Sequence, residues 1–147
     1  MKNKINCILL IDDDEPTNFL SQMIIEEADC AADIQIAYSG DQAIDYLTSQ
    51  RISTSGQNTY PRPDLIFLDI NMPAMNGWEF LQKYNSLEKE HKGNIVIIML
   101  TTSINPDDKL RSKDFPDISG FENKPLTPEL IERVMNTYFI DLHENAA

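Results

Sequence analysis

The sequence is poor in cysteine, in basic residues and in long apolar runs, and each shortage removes a class of function. Only Cys7 and Cys30 occur, far apart and in no metal-ligand spacing. Cys7 lies inside an apolar run, so a reduced, packed thiol accounts for it better than a redox role. Acidic residues outnumber basic ones 24 to 12, for a formal charge of -12. Such a surface repels phosphate backbones and argues against nucleic-acid binding, while it suits cations or basic partners. The apolar stretch after Met1-Lys2-Asn3-Lys4 spans only a few residues. That is too short for a signal peptide or a membrane span, so a soluble, cytoplasmic chain without membrane attachment is expected. Internal repeats and low-complexity tracts are also missing, which leaves disorder without support. His91 and His143 are distant from each other in polar settings and read as solvated surface residues.

What is present is a rhythm of short apolar runs and longer amphipathic segments. The 147 residues, 41% of them hydrophobic, suit one compact domain with a real core. Residues 5 to 11 are apolar almost throughout, as in a strand buried on both faces. Asp14 then caps a predicted helix over 16 to 28, in which Phe19, Leu20, Met23, Ile24 and Glu27 recur at helical spacing. A weaker strand over 33 to 38 is followed by a helix over 40 to 49 carrying Ala43, Ile44 and Leu47. Between 50 and 63 the composition turns to Ser, Thr, Gly, Asn, Gln and Pro, the mark of an exposed loop insertion.

The same alternation continues to the end of the chain. Residues 65 to 70 form the third strand, and a helix opening near Asn76 turns Phe80, Leu81 and Tyr84 inward. Gly93-Asn94 is a turn, and the strongly apolar run over 95 to 100 reads as a central strand. Asn105-Pro106 starts a helix whose first turn carries Asp107 and Asp108. A short strand over 118 to 122 precedes a last helix, opened by Thr127-Pro128, that is expected to bury Leu130, Ile131, Val134, Met135, Tyr138 and Phe139. Five strand-helix units in alternation imply an α/β fold, a parallel sheet with helices on both faces. Such sheets bind ligands beyond the carboxyl ends of their strands, which here carry Asp12-Asp13-Asp14, Asp69, Thr101-Thr102 and Lys124.

Asp12 and Asp13 follow a buried strand with no basic neighbour in sequence, and a divalent cation would relieve their repulsion. Asp14 and Glu15 are better explained as acids at a helix N-terminus. A lone Asp at a strand end is usually a cap, but Asp69 is followed by the loop Asn71-Met72-Pro73 and Asn76-Gly77. A carboxylate held there beside a metal can attack phosphorus. Thr101 offers a hydroxyl, and Asn105 already fills the capping role that would otherwise explain it. Lys124 shares the sheet edge with three carboxylates, so an ion pair with them is expected. Nucleophile, cation site and ammonium are together what phosphoryl transfer requires.

In this order the residues resemble the receiver domains of two-component response regulators, of the chemotaxis-type stand-alone kind, over about residues 5 to 141. The resemblance rests on Ile11-Asp12-Asp13, on Leu68 to Pro73 with Gly77, on Thr101 and on Lys124-Pro125. It implies a doubly wound, flavodoxin-like (βα)5 sandwich with the parallel sheet in the order 2-1-3-4-5. It implies a single receiver domain over 1 to 147 without an output domain. Asp69 would be the phosphoacceptor for a histidine kinase or histidine phosphotransfer protein. Mg2+, with Mn2+ as a substitute, would be held by Asp13, Asp69 and the backbone carbonyl of Asn71, with Asp12 acting through water. Lys124 and Thr101 would contact the phosphoryl group, Phe121 would reorient with Thr101, and Pro125 would follow a cis peptide.

Two residues depart from the common pattern. Thr102 stands where the family usually has Ala or Gly, and Phe121 where Tyr is also common. Both would alter the lifetime of the phosphorylated state, as would Ser103 and Asn71, whose side chains would rim the site. The resemblance places the readout surface on residues 105 to 113, 119 to 121 and 129 to 138, with a phosphorylation-linked homodimer as one use of it. It implies a switch and not a turnover enzyme.

Rival readings fare worse. A phosphohydrolase of the haloacid-dehalogenase type would need an Asp-x-Asp-x-Thr or Val motif, where Asp12 to Pro16 ends in proline. A flavodoxin-type redox protein would need a phosphate-cradling loop where three aspartates stand. A phosphorylation-independent interaction module should have lost one of the acidic, Thr or Lys positions, and none is missing.

Overall fold

The computed structural model describes residues 4–49, 61–92, 94–102 and 104–139. Most of the predicted 50–63 loop, Ser103 and His143 lie outside these residues. Among the described residues five strands and six helices follow one another: β1 (Ile5–Ile11), α1 (Glu15–Ala28), β2 (Ala31–Ala37), α2 (Gly40–Thr48), β3 (Leu65–Asp69), α3 (Gly77–Asn85), α4 (Lys89–Lys92), β4 (Val96–Thr101), α5 (Pro106–Ser112), β5 (Ile118–Asn123) and α6 (Pro128–Tyr138). The strands form one parallel sheet in the order β2-β1-β3-β4-β5. This is the expected flavodoxin-like arrangement. α4, a single turn, was not foreseen, and several strand ends lie one or two residues from their predicted places.

Strict alternation in apolar strands builds a core on each side of the sheet. Leu9, Ile11, Ile66, Leu68, Ile97 and Met99 point to one face, where α2 and α3 supply Ala43, Leu47, Trp78, Phe80, Leu81 and Tyr84. Ile8, Leu10, Leu65, Phe67, Ile98 and Leu100 point to the other, where α1 and α6 supply Ile25, Leu130, Ile131, Val134 and Met135. Cys7 and Cys30 are both buried, and burial, aided by the charge of Asp33, pushes the Cys7 thiol up to about 12. That thiol is inert at neutral pH. Among the described residues no helix is long and apolar enough to cross a membrane.

Two helices turn apolar or aromatic residues outward, and for α6 this departs from expectation. In α1, Phe19, Leu20 and Met23 are 63%, 59% and 49% exposed, while Asn18, Ser21 and Ile25 are buried. The inward face runs along 18, 21 and 25 because the turn after β1 holds Asn18 against the end of that strand. In α6, Tyr138 is partly exposed because its hydroxyl reaches the edge strand, donating to Ser119 O at 2.9 Å. Phe139, just past the helix, is only partly buried.

Candidate functional site

The strand order reverses between β1 and β3, and their carboxyl ends deliver Asp12 and Asp69 to the same point. Asp12 continues the β1 ladder, its N–H donating to Ala37 O at 3.1 Å. The chain then turns, with Asp14 N–H donating to Asp12 Oδ1 at 2.9 Å. Asp14 caps α1 by accepting from Thr17 N–H at 3.0 Å. Hydrogen bonds from the Thr17 hydroxyl and N–H hold the exposed Asp14 carboxyl below its usual range.

On the β3 side the backbone folds tightly back. Ile70 N–H donates to Leu100 O at 3.2 Å, and Asn71 N–H donates to Asp69 Oδ1 at 3.3 Å. Ala74 adopts a left-handed φ of 65°. Gly77 N–H then donates to Ile70 O at 2.8 Å. A Cβ on Gly77 would stand 2.8 Å from Asp69 O and 3.0 Å from Ile70 Cα, so glycine is what lets α3 approach the end of β3. Asn76 and Glu79 close a capping box that fixes the start of α3.

Asp12, Asp13 and Asp69 form one cluster, with an oxygen from each lying within 4.8 Å of the others. Asp12 and Asp69 are buried, whereas Asp13 faces solvent. Lys124 reaches in from the end of β5 and bridges the two buried acids, at 2.7 Å from Asp12 Oδ2 and 3.1 Å from Asp69 Oδ1. Its backbone N–H donates to Thr101 O at 2.7 Å, tying the β4 and β5 ends together. The Lys124–Pro125 peptide is cis.

One ammonium among three carboxylates leaves the cluster short of positive charge. Burial, then the charge of Asp12, raise the Asp69 pKa above its usual 3.8, against the opposing pull of Lys124 and the Asn71 N–H. Burial works against charge on Lys124 as well, but Asp12 and Asp69 outweigh it and hold its pKa above 10.5. Three oxygen donors around unbalanced negative charge are a set that could hold a metal ion.

The other predicted residues take different places. Thr101 is buried at the end of β4, and Thr102 and Asn71 are exposed. Phe121 is half-buried, its ring 6.1 Å from that of Trp78. Two residues were passed over in the sequence. Trp78 is buried, contacts Phe115 at 5.4 Å and carries the Arg111 guanidinium 5.0 Å above its ring. Its spacing of three from Leu81 was the available signal. Asn18 is buried beside Asp12, and no apolar pattern could have revealed it.

Comparison with known proteins agrees with this geometry. Residues 8–136 match the family model described as "Response regulator receiver domain". Response regulator Rcp1 of Synechocystis is 30% identical over 110 residues, covering 75% of this chain and 71% of that protein. Hybrid signal transduction histidine kinase C of Dictyostelium discoideum is 34% identical over 80 residues, or 52% of this chain. The chain spans only about 6% of the length of that kinase and of its homologue, kinase I. A two-component response regulator of Cytophaga hutchinsonii superposes with a TM-score of 0.81 at 30% identity, covering 94% of this chain and 99% of that one. With this sequence match laid over a sheet of order 2-1-3-4-5 and an acid-lysine cluster at its switch point, the chain belongs to the response regulator receiver domain family.

Proposed function

We propose that this receiver is a Mg2+-dependent phosphorylation switch in which Asp69 accepts a phosphoryl group from a phosphohistidine on a histidine kinase or phosphotransfer protein. The observation that carries this reading is the Lys124 bridge between Asp12 and Asp69 inside a cluster of three carboxylates. An Asp69 oxygen attacks phosphorus, the new O–P bond replaces the N–P bond to the donor imidazole, and the product is an acyl phosphate. Asp13, Asp69 and the Asn71 carbonyl would hold Mg2+ directly, Asp12 would act through water, and Mn2+ would substitute. When bound, the ion supplies positive charge to the phosphoryl oxygens. Lys124 would supply more, and the Thr101 hydroxyl would donate a hydrogen bond.

The phosphoryl group adds roughly two negative charges, and Lys124 then divides its attraction between that group and the two acids it now bridges. Thr101 and the partly buried Phe121 shift with it and alter the face formed by α5, β5 and α6. Exposed Leu110 and Tyr138 lie on this face and suit a protein partner, a second copy of the chain included. Under this reading the chain works in the cytoplasm, turns over no external substrate and avoids nucleic acid.

Intact mass after incubation with acetyl phosphate and Mg2+ tests the proposal. One phosphoryl group is expected on the native chain, none on Asp69→Asn and none after chelation of the metal. An adduct that persists on Asp69→Asn would move the acceptor elsewhere.

A further inference from the structure

Of the buried polar side chains, Asp12 and Asp69 belong to the cluster already described and Thr101 ends the neighbouring strand, whereas Asn18 and Ser21 lie on α1. Asn18 lies inside α1 and is 2% exposed. Asparagine is a poor interior residue for a helix, and a buried amide is costly unless it is hydrogen-bonded. Asn18 Nδ2 donates to the backbone carbonyl of Asp12 at 2.8 Å. Because the acceptor is a carbonyl, the amide nitrogen has to be the atom that faces it.

That carbonyl is a sensitive point. The register of β1 with β2 and β3 ends at Ile11, and the last ladder bond is the one from Asp12 N–H to Ala37 O. The Asp12 carbonyl has already left the sheet. It shares one rigid peptide plane with the N–H of Asp13, so its direction sets where the Asp13 backbone starts and where its carboxylate is carried. Asp13 is the exposed member of the cluster. The buried acids have other restraints, since Lys124 grips both and Asp14 N–H and Asn71 N–H each bind one.

Resting on the function proposed above, we infer that Asn18 is a positioning residue for the cation site. Its amide fixes the Asp12–Asp13 peptide and so presents Asp13 beside Asp69, although Asn18 itself need not touch the ion or the phosphoryl group. Mg2+ affinity then depends on a helix residue behind the turn that carries Asp12 and Asp13.

Titration calorimetry with Mg2+ on the full chain tests this, using native protein, Asn18→Leu, Asn18→Ala, Asn18→Ser, Asp13→Asn and the control Ile25→Val. Leucine keeps the volume without the donor, and serine keeps a donor if the leucine variant does not fold. Ile25 is buried in the same helix on the apolar core, so its variant reports a general loosening of α1. Supporting ligands of a metal site typically tune affinity by about ten- to a hundredfold. We expect Asn18→Leu to bind Mg2+ about tenfold more weakly, Asn18→Ser to recover part of the loss and Ile25→Val to match the native chain. Affinity within twofold of native for Asn18→Leu, or for Asn18→Ala where leucine is not tolerated, overturns the inference. So does an equal loss in Ile25→Val. Native protein that shows no Mg2+ binding sensitive to Asp13→Asn would overturn the proposed function itself, and the inference with it.

Discussion

Replacing Asp69 by Asn should make the metal-free protein more stable, and Mg2+ should narrow or reverse that gain. Ionised Asp69 has oxygens within 4.8 Å of those of Asp12 and Asp13. At an effective dielectric near 20, each such repulsion is about 3 kcal/mol. Its attraction to Lys124 across 3.1 Å is about 5 kcal/mol on the same scale. Attraction therefore falls slightly short of repulsion, and the burial of the charge adds to the deficit. The raised pKa of Asp69 has the same sign. We expect Asp69→Asn to gain about 1–2 kcal/mol in EDTA, which moves the melting midpoint up by about 3–6 °C in a domain of this size.

The pH dependence carries the same signature. Folding raises the proton affinity of Asp69, so native stability falls as pH rises from 3.8 through the higher folded value, and the Asn variant lacks this fall. With Mg2+ at ten times its dissociation constant, linkage returns about 1.4 kcal/mol to the native chain, or about 4 °C. Thermal melts by circular dichroism over a pH series, with EDTA and with Mg2+, give all three quantities. A variant that melts below native in EDTA would refute the claim that the cluster is short of positive charge.

Further consequences can be checked on the same protein. Lys124→Ala should slow labelling by acetyl phosphate by about a hundredfold, in line with the loss of one charge-stabilising donor, and mass spectrometry over time measures it. A rate within threefold of native would remove Lys124 from the chemistry. Gly77→Ala forces a Cβ to 2.8 Å from Asp69 O. It should cost about 1–3 kcal/mol in denaturant melts and slow labelling; unchanged behaviour in both would show that the β3 end yields freely. Arg111→Ala removes the cation over Trp78 from a helix that buries no residue of its own. Amide exchange in α5 should quicken by about two- to fivefold, equivalent to 0.5–1 kcal/mol. Unaltered exchange would mean that α5 is held by other contacts.

The strands were legible because β1, β3 and β4 are buried on both faces and so are written in apolar residues almost without interruption. Where one face is less demanding, the sequence loses its hold. β2 starts two residues before its predicted place, and its Asp33 and Gln35 are polar residues in a strand on the sheet edge. Helix starts were legible through their caps, and Asp14, Asn76, Asn105 and Thr127 all accept the expected backbone hydrogen bond. The cluster was legible as residue types at strand ends. Its geometry was not, since Lys124 and Asp12 are 112 positions apart in sequence and their distance depends on how β5 and β1 sit in one sheet.

The exposed apolar side chains of α1 and the position of Asn18 have one cause. Hydrophobic periodicity locates the face that displaces most water, and in most helices that face is also the one turned inward. At the start of α1 the inward neighbour is the carbonyl of Asp12, a group that has left its sheet and needs a donor. The inward position there goes to an amide, and Ser21 follows on the same face, so the apolar core contact is delayed to Ile25. Phe19, Leu20 and Met23 are then turned toward solvent by the same rotation. A chain that selected α1 for burial alone would turn Phe19 and Met23 inward and leave the Asp12 carbonyl without its donor. The departure from apolar pattern thus falls within one helical turn of the acidic pair, where holding the backbone outweighs covering a hydrophobic face.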